Sequence, residues 1–212
     1  MHPLVPDGVV ARGGGIAAAA AAAVLLFAFA VLGLMAMDGP FPFDVRIAEA
    51  AEVYHNAAFA GLNLLTSMPV WATTIAASSI GLWLRGARRT AVALGTALVL
   101  AEVSSFITKW LIDRPRPVDD GLLDDLLVTA SFPSGHIVRV AVTLGVLALL
   151  LLPRVQGRYR LLAVLGLGSL LVVVGLARVT SGEHWPSDVL GGYLLAGAWL
   201  AFAAGALRSV GR

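Results

Sequence analysis

Cysteine is absent from this chain of 212 residues, and charge is scarce in it. Without a thiol there is no disulfide framework and no thiolate metal site, although that absence says nothing about the compartment. Only 13% of residues are charged against 58% hydrophobic, and the mean hydropathy is +0.87. Such a composition excludes an ordinary soluble domain, and no linker or low-complexity tail separates the apolar runs. The net charge of +2 comes from short basic clusters at the ends of those runs, which argues against a nucleic-acid partner.

What is present is a series of apolar runs near the roughly 20 residues that a spanning helix needs. The pattern predicts an all-α, polytopic membrane protein, a single domain over residues 1–212. Six transmembrane helices are expected, at 15–36, 62–84, 90–107, 137–152, 161–177 and 189–207. Several of these are short, as in a thin or tilted bundle. The first run is too long for a signal-peptide core and leaves through Met35-Ala36-Met37-Asp38 instead of small residues, so it is expected to be retained. After it, Gly39-Pro40-Phe41-Pro42-Phe43 breaks the pattern, and residues 44–58 mix charge with Val45, Ile47, Val53 and Tyr54, as an interfacial helix does. The alanines from Ala17 to Ala23 read as a helix-packing surface.

With six spans, Arg12, Arg85, Arg88, Arg89, Arg154, Arg158, Arg160, Arg208 and Arg212 share one side, which is expected to be cytoplasmic with both termini. Eleven of the 13 acids, all but Asp7 and Glu102, fall on the other side.

On that outer side lies the loop from Lys109 to His136, which opens with the cations Lys109, Arg114 and Arg116 and closes on Pro133-Ser134-Gly135-His136. Ser134 is expected to N-cap the next helix, leaving the N–H groups of Gly135 and His136 at its positive end, where phosphate-like anions bind. Between the next two spans, a second polar cluster runs from Arg178 through His184 to Asp188. Lys109, Arg116 and Arg178 can neutralise a phosphate dianion and the charge that grows on it during transfer. Of two histidines, one can attack phosphorus and the other can protonate the leaving oxygen. Asp188, four residues after His184, can accept from the distal ring N–H and stabilise an imidazolium.

The spacing carries more than any one residue. Lys109, six residues, then Arg116-Pro117; Pro133-Ser134-Gly135-His136; and Arg178, five residues, His184, three residues, Asp188: together these resemble the three-part signature of the type 2 phosphatidic acid phosphatase (PAP2) superfamily. The resemblance implies that Lys109, Arg116 and Arg178 bind phosphate, that Ser134 and Gly135 donate hydrogen bonds to it, and that His136 is the general acid. It also implies that His184 is the nucleophile, that Asp188 is its partner, and that no metal or other cofactor is needed. Ala177 stands where the pattern usually has serine, with the loss of one possible hydrogen bond.

The expected function is hydrolysis of a lipid phosphate or diphosphate at the outer face of the cell membrane, with the lipid tail remaining in the bilayer. A polyprenyl diphosphate comes first, phosphatidic acid or phosphatidylglycerol phosphate second, and a polyprenyl sugar phosphate third. The site also resembles the vanadate site of soluble haloperoxidases, which the apolar spans argue against. A catalytically silent lipid transporter or scaffold is the reading from another class. No mark of an oligomeric state is present. Three features stand outside the signature. Glu102, inside a span, is expected to be a buried hydrogen-bond partner for Ser104, Ser105 or a neighbouring helix. Arg139 is expected either to reach a second phosphate or lipid head group, or to pair with an outer acid. Asp119, Asp120, Asp124 and Asp125 alternate with leucines and are expected to face water; a magnesium site there is the less favoured reading.

Overall fold

The structure is a computed structural model that describes residues 7–52, 67–118 and 130–210. Its elements are all helical: α1 (Asp7–Ala36), α2 (Pro42–Glu52), α3 (Met68–Leu84), α4 (Arg88–Ile112), α5 (Gly135–Leu151) with a 3-10 turn at Leu152–Arg154, α6 (Gly157–Thr180) and α7 (Pro186–Val210). Among the described residues, five segments are long and apolar enough to cross a membrane: Gly15–Ala36, Thr90–Ile112, Gly135–Arg154, Gly157–Thr180 and Pro186–Gly205. The remaining expected span corresponds to α3, which is apolar but has only 17 residues. At 1.5 Å per residue it reaches about 25 Å, short of the hydrocarbon core. The expected interfacial helix corresponds to α2; its predicted continuation to residue 58 lies outside the described residues, as does the acidic run of residues 119–125.

Helix α7 is the centre of the bundle. It packs along α1 most extensively and also meets α5 and α4, while α3 leans on α4 and α6 sits against α5 and α7. The core around it contains Phe29, Leu98, Ala101, Phe132, Val138, Val142, Val146 and Leu195. Large apolar side chains such as Phe27, Leu84, Phe106, Leu165, Val172 and Phe202 point outward, the inverse of a soluble protein and the surface that lipid solvates. Of the alanine run, only Ala18 and Ala22 are half-buried, because a period of 3.6 turns one stripe inward and leaves the rest outside.

The helices run past the ends that hydropathy predicts. Lys109 lies in the last turn of α4 and Arg178 in that of α6, while His136 and Asp188 lie in the first turns of α5 and α7. Hydropathy stops at the first polar residue, whereas helical hydrogen bonding continues through it, so spans that read as short are full-length helices with polar ends. All four ends meet at one end of the bundle.

Phe132 anchors the loop before α5. It is fully buried and stacks on Phe29 of α1 with ring centroids 5.5 Å apart. Glycines in α7 make the room: a Cβ on Gly192 would lie 2.8 Å from Cβ of Ile137 and 3.0 Å from the Ser134 carbonyl oxygen. The second contact is with backbone and cannot relax by a rotamer change. Gly192→Ala should therefore push α5 from α7 at the polar end and destabilise the protein by about 1–3 kcal/mol, read as a lowered melting temperature in detergent micelles.

Candidate active site

Ser134, in extended conformation, is the N-cap residue of α5, but its hydroxyl makes no capping bond. The Ser134 Oγ is buried without a hydrogen-bond partner, and the Ser134 N–H donates to the Asp188 carbonyl at 3.0 Å, tying the start of α5 to the start of α7. The hydroxyl is thus uncommitted beside the positive end of a 17-residue helix.

Lys109 closes the floor. Its Nζ donates to the carbonyls of Ala130 at 2.5 Å and Ser131 at 3.4 Å, and its Cε lies 3.9 Å from the position a Cβ on Gly135 would take. Arg178 is buried, donates to Ser181 Oγ at 3.2 Å and is ion-paired with Glu183. Arg116 is half-buried at the rim. The ring nitrogens of His136 and His184 and a carboxylate oxygen of Glu183 all lie within 4.8 Å of one another. Donors so spaced could hold a metal ion. Lys109, Arg116 and Arg178 around them oppose a dication and favour an anion.

His184 is 2% exposed, and its imidazole is held well below the ordinary value of 6.5, first by burial and then by Lys109, Arg178 and Arg116. It is therefore a neutral base at pH 7, the state an attacking imidazole needs. Its Nδ1 stands 3.8 Å from Asp188 Oδ2 and has no hydrogen-bond partner. The expected hydrogen bond between them is thus not made, although the two groups face each other at that distance. Asp188 Oδ2 instead accepts the Trp185 N–H at 2.7 Å, as a carboxylate in a helix's first turn reaches back to its N-cap.

Two features escaped the sequence reading. Arg114, grouped there with the loop cations, is committed to protein partners: it donates to Asp188 Oδ1 at 2.5 Å, to Ser187 Oγ at 2.8 Å and to Asp44 Oδ2 at 2.8 Å. Asp44, in the first turn of α2, is completely buried and belongs to this cluster. Locally it accepts the Phe41 N–H at 3.1 Å, an ordinary helix-start contact, whereas the partners that place it in this cluster are 70 and 143 residues away. Glu102 and Arg139 prove to be partners of each other across α4 and α5: Arg139 Nε is 3.1 Å from each carboxylate oxygen and Nη2 is 2.8 Å from Oε1. Ser104 bonds instead to its own helix backbone and to Trp199. Ala177, where the pattern usually has serine, is buried.

The family model described as "PAP2 superfamily" matches residues 90–210. The chain is 28% identical over 199 residues to an undecaprenyl-diphosphatase of Sulfolobus acidocaldarius, covering 88% of this chain and 91% of that one. It is 33% identical over 103 residues to phosphatidylglycerophosphatase B of Bacillus subtilis, covering 48% of each. In fold it is similar to the crystal structure of a transmembrane PAP2-type phosphatidylglycerolphosphate phosphatase from Bacillus subtilis, with a TM-score of 0.73 at 22% identity over 91% of this chain and 98% of that one.

The uncommitted Ser134 hydroxyl generates a test. A buried hydroxyl without a partner contributes nothing to hold the fold, so Ser134→Ala should leave the melting temperature of the substrate-free protein unchanged or slightly raised. The same change should lower kcat/KM by roughly 10- to 100-fold, the loss of one hydrogen bond to a charged group.

Proposed function

The chain belongs to the PAP2 superfamily of membrane phosphatases, and from that premise we propose that it removes the terminal phosphate of a lipid diphosphate at the outer face of the cell membrane through a phosphohistidine intermediate. The observation that carries this reading is the pair of histidines facing each other within a cage of Lys109, Arg116 and Arg178. The terminal phosphate sits among the three cations, the Ser134 hydroxyl and the N–H of Gly135. His184 Nε2 attacks phosphorus, the bond to the leaving oxygen breaks, and His136 protonates that oxygen. Asp188 takes up the charge of the imidazolium through Nδ1. Water activated by His136 then splits the phosphorus–nitrogen bond and returns the enzyme. The charge stabilisation comes from side chains, so the cycle needs no metal.

A cleft of about 620 Å³ beside the site suits a lipid that stays in the bilayer. It is bounded by Val45 and Ala48 of α2, by Pro117 and Val118 after Arg116, and by Ser181 and Trp185 flanking His184. The relative matched over nearly its whole length is named for a polyprenyl diphosphate, which supports that class first. A second reading, a glycerolipid monoester such as phosphatidic acid or phosphatidylglycerol phosphate, is favoured by the Glu102–Arg139 pair. It already neutralises the guanidinium best placed to hold a departing phosphate. The outer location is supported by the arginine-rich opposite end of the bundle.

Three experiments test this reading. Phosphate trapped on the protein should be acid-labile and base-stable and should be absent from His184→Ala; its persistence in that variant would move the nucleophile elsewhere. In the same assay a monoester expels a basic alkoxide and a diphosphate expels a weakly basic phosphate. His136→Ala should accordingly lose about 10²- to 10⁴-fold on phosphatidic acid and clearly less on a polyprenyl diphosphate. Equal losses would remove His136 from the proton transfer. Orientation can be read with single cysteines, because the chain has none of its own. Val118 and Tyr159 are both exposed, at opposite ends of the bundle. Val118→Cys should react with an impermeant thiol reagent in intact cells and Tyr159→Cys should not; the reverse would invert the topology.

A further inference from the structure

The proposed phosphate site does not use Asp44, Arg114 or Ser187, yet these residues form the most completely buried polar cluster described. The side chains of Asp44, Arg114 and Asp188 have no exposure at all. Arg114 spreads one guanidinium over two carboxylates: Nη2 on Asp44 Oδ2 at 2.8 Å and Nη1 on Asp188 Oδ1 at 2.5 Å. Ser187 bridges them, donating its hydroxyl to Asp44 Oδ2 at 2.6 Å and its N–H to Asp44 Oδ1 at 2.9 Å, while its Oγ accepts from Arg114. The guanidinium carbon lies 5.6 Å from the Phe41 ring centroid and 6.0 Å from that of Trp185, so aromatic faces wall the cluster.

Resting on the nucleophile reading above, we propose that Asp44 and Arg114 are positioning residues for phosphoryl transfer, acting on His184 through Asp188. Two physical effects carry the assignment. The first is orientation. With Oδ1 held by Arg114 and Oδ2 held by the Trp185 N–H, the Asp188 carboxylate cannot rotate, and Oδ2 stays aimed at Nδ1 of His184. The second is charge. Arg114 alone would cancel Asp188 and leave His184 facing a neutral pair. Asp44 restores a net negative charge to the three-residue unit, and in a dry pocket that charge acts on the imidazolium with little screening. Helix α2 is by this account part of the catalytic apparatus: its first turn supplies the carboxylate that keeps Asp188 effective.

The predicted signature is a split between kcat and KM. Lys109, Arg116 and Arg178, which meet the phosphate, are untouched by changes at position 44. The test is rapid-quench measurement of phosphohistidine formation, using whichever of phosphatidic acid and a polyprenyl diphosphate the wild type cleaves faster, radiolabelled in its terminal phosphate. Rates are taken per active site, with the amplitude counting folded enzyme. Asp44→Asn should slow phosphorylation by roughly 10- to 100-fold, the usual effect of a residue that orients a reacting group from behind it, with KM changed less than about twofold. Asp44→Glu, which retains the charge, should recover part of the rate. If Asp44→Asn fails to fold, Ser187→Ala takes its place: it keeps every charge and removes one bridging hydroxyl, so a fall of about fivefold is expected. A wild-type rate per active site in Asp44→Asn, or in Ser187→Ala where that stands in for it, would overturn the proposal. So would a loss carried by KM alone. Absence of phosphohistidine on His184 in the wild type would overturn the nucleophile reading and this coupling together, a result visible before any position-44 variant is made.

Discussion

The Arg114 side chain is completely buried, and much of the polar end of the bundle follows from that. An isolated guanidinium in a low-dielectric interior is prohibitively costly, and so is an isolated carboxylate. Arg114 just beyond α4, Asp44 at the start of α2 and Asp188 at the start of α7 can be buried only together, which fixes where three segments far apart in the chain must meet. The backbone follows the same junction: the Arg114 carbonyl accepts the Ser131 N–H at 2.7 Å, the Pro115 carbonyl accepts the indole N–H of Trp185 at 2.9 Å, and the Gly182 carbonyl accepts the Val118 N–H at 3.0 Å. These bonds draw the three signature segments around one point before any substrate arrives.

The site is therefore preorganised, and Lys109 and Arg178 have protein partners. Lys109 rests on two carbonyls, and Arg178 on Ser181 and Glu183. On the proposed reading, binding a phosphate is an exchange: a dianion replaces weaker or singly charged partners, and Glu183, whose carboxylate lies close to both histidines, has to yield. Ser134 differs because its hydroxyl has nothing to exchange. The arrangement places the His184 imidazole, already buried, among fixed positive charges that disfavour its protonation; on the proposed reading, the same charges hold the anion that it attacks.

Much of this was legible in the chain. The spacing from Lys109 to Asp188 identified the residues that gather at the site, and the apolar runs located the helices within a few residues. Hydropathy ended those helices early, because it registers Lys109, His136, Arg178 and Asp188 as interruptions although each continues its helix. Of the neighbouring Arg114 and Arg116, spacing from Lys109 singled out Arg116 for the signature but gave Arg114 no role, and the fold supplies one by turning it toward Asp44 and Asp188. Asp44 reads locally as an ordinary acid in a helix's first turn, which the Phe41 N–H contact fits, and nothing nearby marks its membership of the buried cluster, which depends on Ser187 and Arg114, both remote in sequence. Glu102 and Arg139 were each recognised as unusual, but their pairing depends on α4 lying against α5.

That last pair bears on how substrate selection can operate. A leaving phosphate would be held by a free cation beyond the site, and Arg139 stands close enough: its Nη2 is 3.3 Å from where a Cβ on Gly135 would be. Glu102 engages it through both oxygens, in the fork geometry that carboxylates and guanidinium groups favour, at a place where few other ligands are available to release it. A neutralised Arg139 offers a second phosphate little attraction. A preference for lipid diphosphates over monoesters would then arise in the chemical step, because phosphate departs without the full proton transfer that an alkoxide demands, and not from tighter binding of the extra phosphate. On this argument selectivity is carried by how much the reaction asks of His136.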